Sequence, residues 1–194
     1  MGGRALDWWR YYCDPSRDKH DPGTRAQRRR CDSPMDAAAI PAAVSLARRV
    51  GAFTGGEGDA WRDAAALNLA RVLAHVREHA DEPPMRAAGW KTFAGDRSEG
   101  DAGDDRPLLS EVRFRRLLTT GPGEEQVAAF VRLVAVLGHK TNVAALADAF
   151  LKWEHPYLGE QVRKDWATDY FAARSTNSSA DAPASTTAPA ETVA

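Results

Sequence analysis

Apolar residues recur at intervals of three and four along most of this chain, and this periodicity is the feature that most constrains its fold. The segment "DAWRDAAALNLARVLAHVREHADEPP" is the longest example, with Trp61, Ala65, Leu69, Val72, Leu73 and Val76 on one helical face. No segment shows the alternation of β-branched residues that is typical of strands. The sequence therefore predicts an all-α fold, a compact helical bundle of about eight to nine helices in two helical halves.

Capping residues and prolines predict where several helices begin and end. "ALDWWRYY" predicts a short first helix, and "TRAQRRRC" a second one with Thr24 as its N-cap. Ser33 before Pro34 is typical of a helix start, and Pro41 divides the segment that follows. The Pro83–Pro84 pair is expected to end the long central helix.

Shifts in composition predict four segments. We expect an N-terminal helical half over residues 1–93, an acidic flexible linker over 94–107, a C-terminal helical half over 108–173 and a disordered tail over 174–194. The linker contains "GDRSEGDAGDD", with five acids and one arginine. The predicted helices of the C-terminal half are at about 109–119, 123–138, 142–153 and 157–173.

Charge and hydropathy exclude several classes of protein. A net charge of −1 and a pI near 6.5 exclude a histone-like protein, although a local nucleic-acid groove stays possible. No apolar run approaches the length that spans a bilayer, and no hydrophobic signal core is present, so a cytoplasmic location is expected. Cys13 and Cys31 have neither the number nor the spacing of a disulfide framework or zinc finger.

The densest cationic stretch is "TRAQRRRC", which contains Arg25, Arg28, Arg29 and Arg30. If this segment is helical, Arg25 shares a face with Arg28 and Arg29. No acid lies between Arg25 and Arg30. The pattern has two interpretations, an ordinary solvated face or a surface that binds phosphate through the planar guanidinium fork.

Further basic residues recur on later predicted helices. "SEVRFRRLL" carries Arg113, Arg115 and Arg116, with Arg113 and Arg116 on one face. The other candidates are Arg132, Lys140, Arg163 and Lys164. Recurrence on several helices favours a nucleic-acid-binding surface over unrelated surface charges.

Trp8 and Trp9 are adjacent, so they are not expected both to face one core, and one of them is expected to serve a partner surface. The other tryptophans, Trp61, Trp90, Trp153 and Trp166, are expected to lie mostly in the core.

The segment "HVREH" is the strongest enzyme-like signal. Its residues His75, Glu78 and His79 match the H-x-x-E-H pattern of inverted zinc metalloproteases. A third ligand is not evident, so a solvated helix face is the favoured interpretation. Nucleophile, Walker A and dinucleotide signatures are absent, and the sequence predicts no catalytic residues, metal or cofactor.

The order of these motifs resembles the small subunit of Cascade, the type I-E CRISPR surveillance complex (the CasB family). The resemblance covers about residues 4–173 and rests on "LDWWRYY", "GTRAQRRRCDSPMDAAAIPAAVSLA", "LLSEVRFRRLL" and "VAAFVRLVAVL…KWEHPYLGEQVRKDWATDYF". The Gly/Asp-rich linker and the Ser/Thr/Ala/Pro tail have no counterpart in it.

This resemblance implies an all-helical, non-enzymatic subunit that binds no metal. It implies two copies, a homodimer, in an assembly with the backbone and large subunits, guide RNA and target DNA, including the displaced strand. It places Arg25, Arg28 and Arg29 in an R-A-x-x-R-R element, Arg113, Arg115 and Arg116 in a second basic helix, and Arg163 and Lys164 in the last helix. The implied function is stabilisation of the guide–target R-loop in antiviral defence.

Two other functions stay open from the sequence. One is a helical protein-interaction scaffold whose arginines meet acidic partner surfaces. The other is a zinc hydrolase at His75, Glu78 and His79. A helix-turn-helix regulator is disfavoured, because no turn glycine lies between two suitable helices.

Overall fold

The computed structural model describes residues 1–17, 21–53, 60–89 and 107–178. These ranges contain ten helices and one two-stranded sheet, which confirms the all-α prediction. The helices are α1 (Gly2–Tyr12), α2 (Pro22–Arg30), α3 (Pro34–Ala38), α4 (Pro41–Arg49), α5 (Ala60–Leu73), α6 (Pro84–Ala88), α7 (Glu111–Leu118), α8 (Glu124–Val136), α9 (Val143–Lys152) and α10 (Leu158–Ser178). The strands are β1 (Glu78–His79) and β2 (Lys140–Thr141).

Side-chain caps or N-terminal prolines mark the starts of α2, α3, α4, α6 and α9. The Ser33 hydroxyl accepts the Asp36 backbone N–H at 3.1 Å, and Pro41 begins α4, as predicted. Helix α2 differs from the prediction, because its N-cap is Asp21, whose carboxylate accepts the Gly23 N–H at 2.9 Å. Thr24 instead donates its hydroxyl to that carboxylate.

Helix α5 ends at Leu73, well before the predicted stop at Pro83–Pro84. Beyond it the backbone turns outward, and the N–H groups of Arg77 and Glu78 both donate to the carbonyl of His139. Strand β1 then pairs in parallel with β2, in the register Glu78 to Lys140 and His79 to Thr141. These long-range hydrogen bonds override the local helical pattern. Hydrophobic periodicity is a local property and does not reveal them.

The prolines that were expected to end a helix instead begin a short one, α6, which was not predicted. Helices α7 to α10 lie where the four C-terminal helices were predicted, with boundaries that differ by a few residues. Helix α10 runs to Ser178, so residues 174–178 are helical rather than part of the predicted tail. The predicted linker, apart from Pro107, and the rest of the tail lie outside the described residues, as does Trp90.

Both tryptophans of α1 are buried, so the expectation that one serves a partner surface is wrong. The Trp8 indole N–H donates to the Ala42 carbonyl at 2.9 Å, and that of Trp9 donates to the Val76 carbonyl at 3.3 Å. Helix α1 is covered by α4, by α9 and by the segment after α5. Two faces of α1 are therefore apolar.

Helix α1 packs most extensively against α9, so the two predicted halves share one hydrophobic core. Gly2 permits this approach, because a Cβ there would lie 2.3 Å from the Ala144 carbonyl oxygen. In the C-terminal part, Phe130 packs edge-on to Trp153, with ring centroids 5.2 Å apart. Phe114 of α7 stacks on Tyr170 of α10 with centroids 4.0 Å apart, which fixes how α7 is rotated.

Candidate nucleic-acid interface

Arg25 on α2 is buried, with 8% of its surface exposed. Its Nε donates to the Ala74 carbonyl and its Nη2 to the Val76 carbonyl, both at 2.8 Å, and its Nη1 contacts the Cys13 carbonyl at 3.4 Å. Burial lowers the pKa of this guanidinium, although the group stays charged. Arg25 thus donates hydrogen bonds to carbonyl oxygens just beyond the C-terminus of α5, where a positive charge is favourable.

Arg28 is fully buried. Its Nη2 contacts the Cys13 sulfur at 3.2 Å and the Tyr12 carbonyl at 3.4 Å, and its guanidinium carbon lies 5.1 Å from the Trp8 ring centre. Its Nε and Nη1 are buried without a hydrogen-bond partner. The same buried guanidinium opposes the effect of desolvation on Cys13, whose thiol pKa is nevertheless raised by burial.

These contacts correct the interpretation of "TRAQRRRC". The face that Arg25 and Arg28 share points into the protein, toward α1 and the end of α5, and does not form an exposed cationic surface. Arg29 is half-buried, and Arg30 alone of the four is exposed. The spacing was identified correctly, but an i,i+3 pair of arginines can face carbonyl oxygens as well as solvent.

The structure brings three predicted residues together elsewhere. Arg113 and Arg116 of α7 and Arg132 of α8 are exposed and line one cleft of about 630 Å³. Phe114 anchors α7 by stacking on Tyr170 of α10, while Leu117 is buried on the side of α7 that borders the cleft, beside the two α7 arginines. Within the described part of the chain, none of these three guanidinium groups is ion-paired.

The floor of this cleft is aliphatic. It consists of Leu109, Leu117, Ala129, Leu133, Ala135 and Val136. Thr120 and Glu125 add polar groups, and Glu125 accepts the Gly121 N–H at 3.1 Å. These residues were not predicted as part of a site, because the apolar stripe of α8 has the same period whether it faces the core or borders a cleft. The cleft thus combines three cationic groups and one carboxylate with an apolar floor.

The remaining predicted residues are engaged by neighbours. Arg115 lies 3.7 Å from Glu111, Lys164 lies 2.8 Å from Glu160, and Lys140 pairs with Glu78 across the sheet. Arg163 is half-buried, with Nε donating to the Leu118 carbonyl at 3.0 Å and its guanidinium 4.6 Å from the Trp153 ring centre. Exposed pairs of this kind are weak, so they do not prevent contact with a partner anion.

The "HVREH" segment does not form the helix on which the zinc hypothesis depends. His75 follows the end of α5, while Glu78 and His79 lie in β1. The His79 Nδ1 accepts the Val143 N–H at 3.3 Å, and its Nε2 lies 3.9 Å from the Asp81 carboxylate. A search of the described residues finds no group of three side chains that could hold a metal ion. His75 and His79 therefore do not have the i,i+4 helical geometry that the motif requires.

The helices of the described ranges were also compared with the length and hydropathy of membrane-spanning segments. None of them is both long and apolar enough to cross a bilayer.

The chain was compared with known families and proteins. The family model for CRISPR-associated protein Cse2 matches residues 24–171, which is most of the chain and includes every predicted basic residue. No curated protein and no solved structure matches. The helical fold agrees with that match, and the chain therefore belongs to the CRISPR-associated protein Cse2 family, the small subunit of the type I-E Cascade complex.

Proposed function

We propose that this chain is a non-catalytic Cascade subunit that binds nucleic acid without sequence specificity and stabilises the guide–target R-loop, including the displaced strand. Its partners in this role are guide RNA, target DNA, the backbone and large subunits and a second copy of itself, in the cytoplasm. The observation that carries the proposal is the convergence of Arg113, Arg116 and Arg132 on one cleft without ion-paired neighbours among the described residues.

The physical reason is electrostatic. Unpaired guanidinium groups on one face favour a polyanion, because each phosphate that they neutralise releases condensed counterions. The energies of R-loop formation and of duplex re-annealing nearly balance, so a few such contacts shift the equilibrium toward the open loop. Sequence is read by guide pairing, so the subunit needs no contacts to base edges for specificity.

A second role, contact with protein subunits, is favoured by exposed apolar side chains. Val112 is 77% exposed, Met35 78% and Tyr157 83%. Single exposed apolar residues are common, but these three are large and lie on separate elements. They are candidates for the surfaces that meet the other subunits.

The first test measures binding of the full chain to a fluorescein-labelled single-stranded DNA by anisotropy at several salt concentrations. We expect the triple substitution R113Q/R116Q/R132Q to weaken binding and to reduce the salt slope by about two units, at about 0.7 per phosphate on single strands.

The matched control is R10Q/R48Q/R86Q, which removes the same charge from three exposed arginines outside the cleft. An equal loss in both variants would mean that only net charge matters. An unchanged affinity in the cleft variant would overturn the proposal.

A further inference from the structure

The α7–α8 cleft is concave, which phosphate binding alone does not require. Guanidinium groups that only neutralise phosphates function equally well on a flat or convex surface. Here they border a concavity of about 630 Å³. That size falls within the roughly 300–1,000 Å³ typical of sites that enclose a small organic group.

The floor of the cleft is suited to an uncharged, flat group rather than to an anion. Leu109, Leu117, Ala129 and Leu133 present only aliphatic carbon, which cannot solvate a phosphate. The Glu125 carboxylate would repel a phosphate placed on this floor, whereas it can accept an N–H. The cationic groups of Arg113 and Arg132 come from opposite helices, so a ligand between α7 and α8 would lie between them.

A nucleotide has this distribution of chemistry. Its base is flat and mostly apolar on its faces, its edge carries N–H donors, and its phosphates are anionic. Guanidinium planes stack on bases as well as binding phosphates. A base that enters the cleft must be unstacked and unpaired, which is the state of bases in a single strand but not in a duplex.

We propose that the α7–α8 cleft takes one unstacked nucleobase of a single strand, with its face on the aliphatic floor and its flanking phosphates on Arg113, Arg116 and Arg132. This inference rests on the proposed function and adds that the site selects single strands over duplex. Glu125 accepts a base N–H, which can come from an exocyclic amino group or from a ring N–H.

The test compares binding of the full chain to two single strands of equal length and charge, one of them with every base replaced by an abasic tetrahydrofuran unit. The wild type is expected to bind the strand with bases at least about fivefold more tightly, in line with the contribution of one stacked base. An acidic, leucine-containing peptide is added as competitor and is expected to displace the DNA poorly.

Two substitutions on α8 provide a matched pair. A129F fills the floor of the cleft, while A128F adds the same ring at an exposed position next to it. A129F is expected to abolish the difference between the two strands without changing the salt slope, and A128F to preserve that difference. Thermal unfolding followed by circular dichroism checks that both variants fold. If A129F does not fold, the comparison of the two strands on wild-type protein decides whether a base enters the cleft.

The outcomes separate this inference from the proposed function. Equal binding of both strands by the wild type, with binding still lost in R113Q/R116Q/R132Q, overturns base insertion and leaves phosphate binding intact. Binding that is insensitive to the three arginines overturns both. Displacement of DNA by the peptide as readily as by unlabelled strand also overturns base insertion, since the cleft would then be a protein-docking site.

Discussion

Two guanidinium groups, those of Arg25 and Arg28, lie inside the protein, where water cannot solvate their charge. A buried charge is tolerated only when polar groups replace its hydration. For Arg25 these are the carbonyls of Ala74 and Val76, each at 2.8 Å. For Arg28 they are a sulfur, a distant carbonyl and the Trp8 ring.

Truncation of either buried arginine should therefore unfold the protein more easily. We expect R25A and R28A each to lower the free energy of unfolding by about 2–4 kcal/mol, since buried carbonyls and an apolar ring lose their partner. R30A, at an exposed position of the same helix, should change it by less than about 0.5 kcal/mol. Urea denaturation followed by circular dichroism measures all three, and equal effects of R25A and R30A would refute a structural role for Arg25.

For individual residues, the sequence predicted which arginines are candidates for binding but not what surrounds each of them in the fold. It placed Arg113, Arg116 and Arg132 among the candidates, and the structure brings these three together. It could not show that Arg25 and Arg28 are buried, because most of their acceptors are backbone carbonyls. Every residue has a carbonyl, so no side-chain pattern marks which ones lie beside an arginine.

Among the secondary-structure elements, the junction after α5 is the least regular. Helix α5 ends at Leu73, and two residues later the backbone carbonyl of His75 lies 3.0 Å from Nδ1 of the His139 ring. His139 itself has φ of +65°, a conformation that glycine favours. Burial, followed by the charges of Arg29, His139 and Arg25, lowers the pKa of the His75 ring from 6.5 to about 4.

This low pKa makes the fold sensitive to acid. Between pH 6.5 and 4 the unfolded chain binds a proton at His75 that the folded chain does not, so stability falls as the pH falls through this range. Between pH 7 and pH 5, we expect the free energy of unfolding of H75Q to fall by about 1 kcal/mol less than that of the wild type. This figure allows for the partial exposure of His75, which weakens the effect.

The measurement is urea denaturation at both pH values, with H155Q as the histidine control. His155 lies in the turn before α10, where its Nδ1 accepts the backbone N–H groups of Tyr157 and Leu158 at 3.2 Å. If H75Q and H155Q change the pH dependence equally, His75 is not its source.

Most helices could be predicted from the sequence, because their apolar period and caps are local properties. The exceptions share one cause. The end of α5 is determined by hydrogen bonds from Arg77 and Glu78 to His139, more than 60 positions away in the chain. Likewise, both α1 tryptophans are buried by elements from distant parts of the chain. Contacts between distant segments leave no periodic signal.

On the scale of the whole molecule, the chain belongs to the Cse2 family and has a net charge of only −1. The proposed interaction with a polyanion therefore depends on where charge is placed rather than on total charge. The α7–α8 cleft concentrates arginines that have no ion pair among the described residues, while the buried arginines of α2 contact the protein interior. We therefore propose separate roles for the two basic segments, one structural and one in binding.

The most direct measurement is the lifetime of the R-loop in Cascade reconstituted with wild-type chain, R113Q/R116Q/R132Q or R10Q/R48Q/R86Q. The account predicts that the cleft variant assembles normally and shortens the lifetime by about tenfold or more, as expected for the loss of several charge-assisted contacts, while the control variant does not. An R-loop equally long-lived with the cleft variant and the wild type would contradict it.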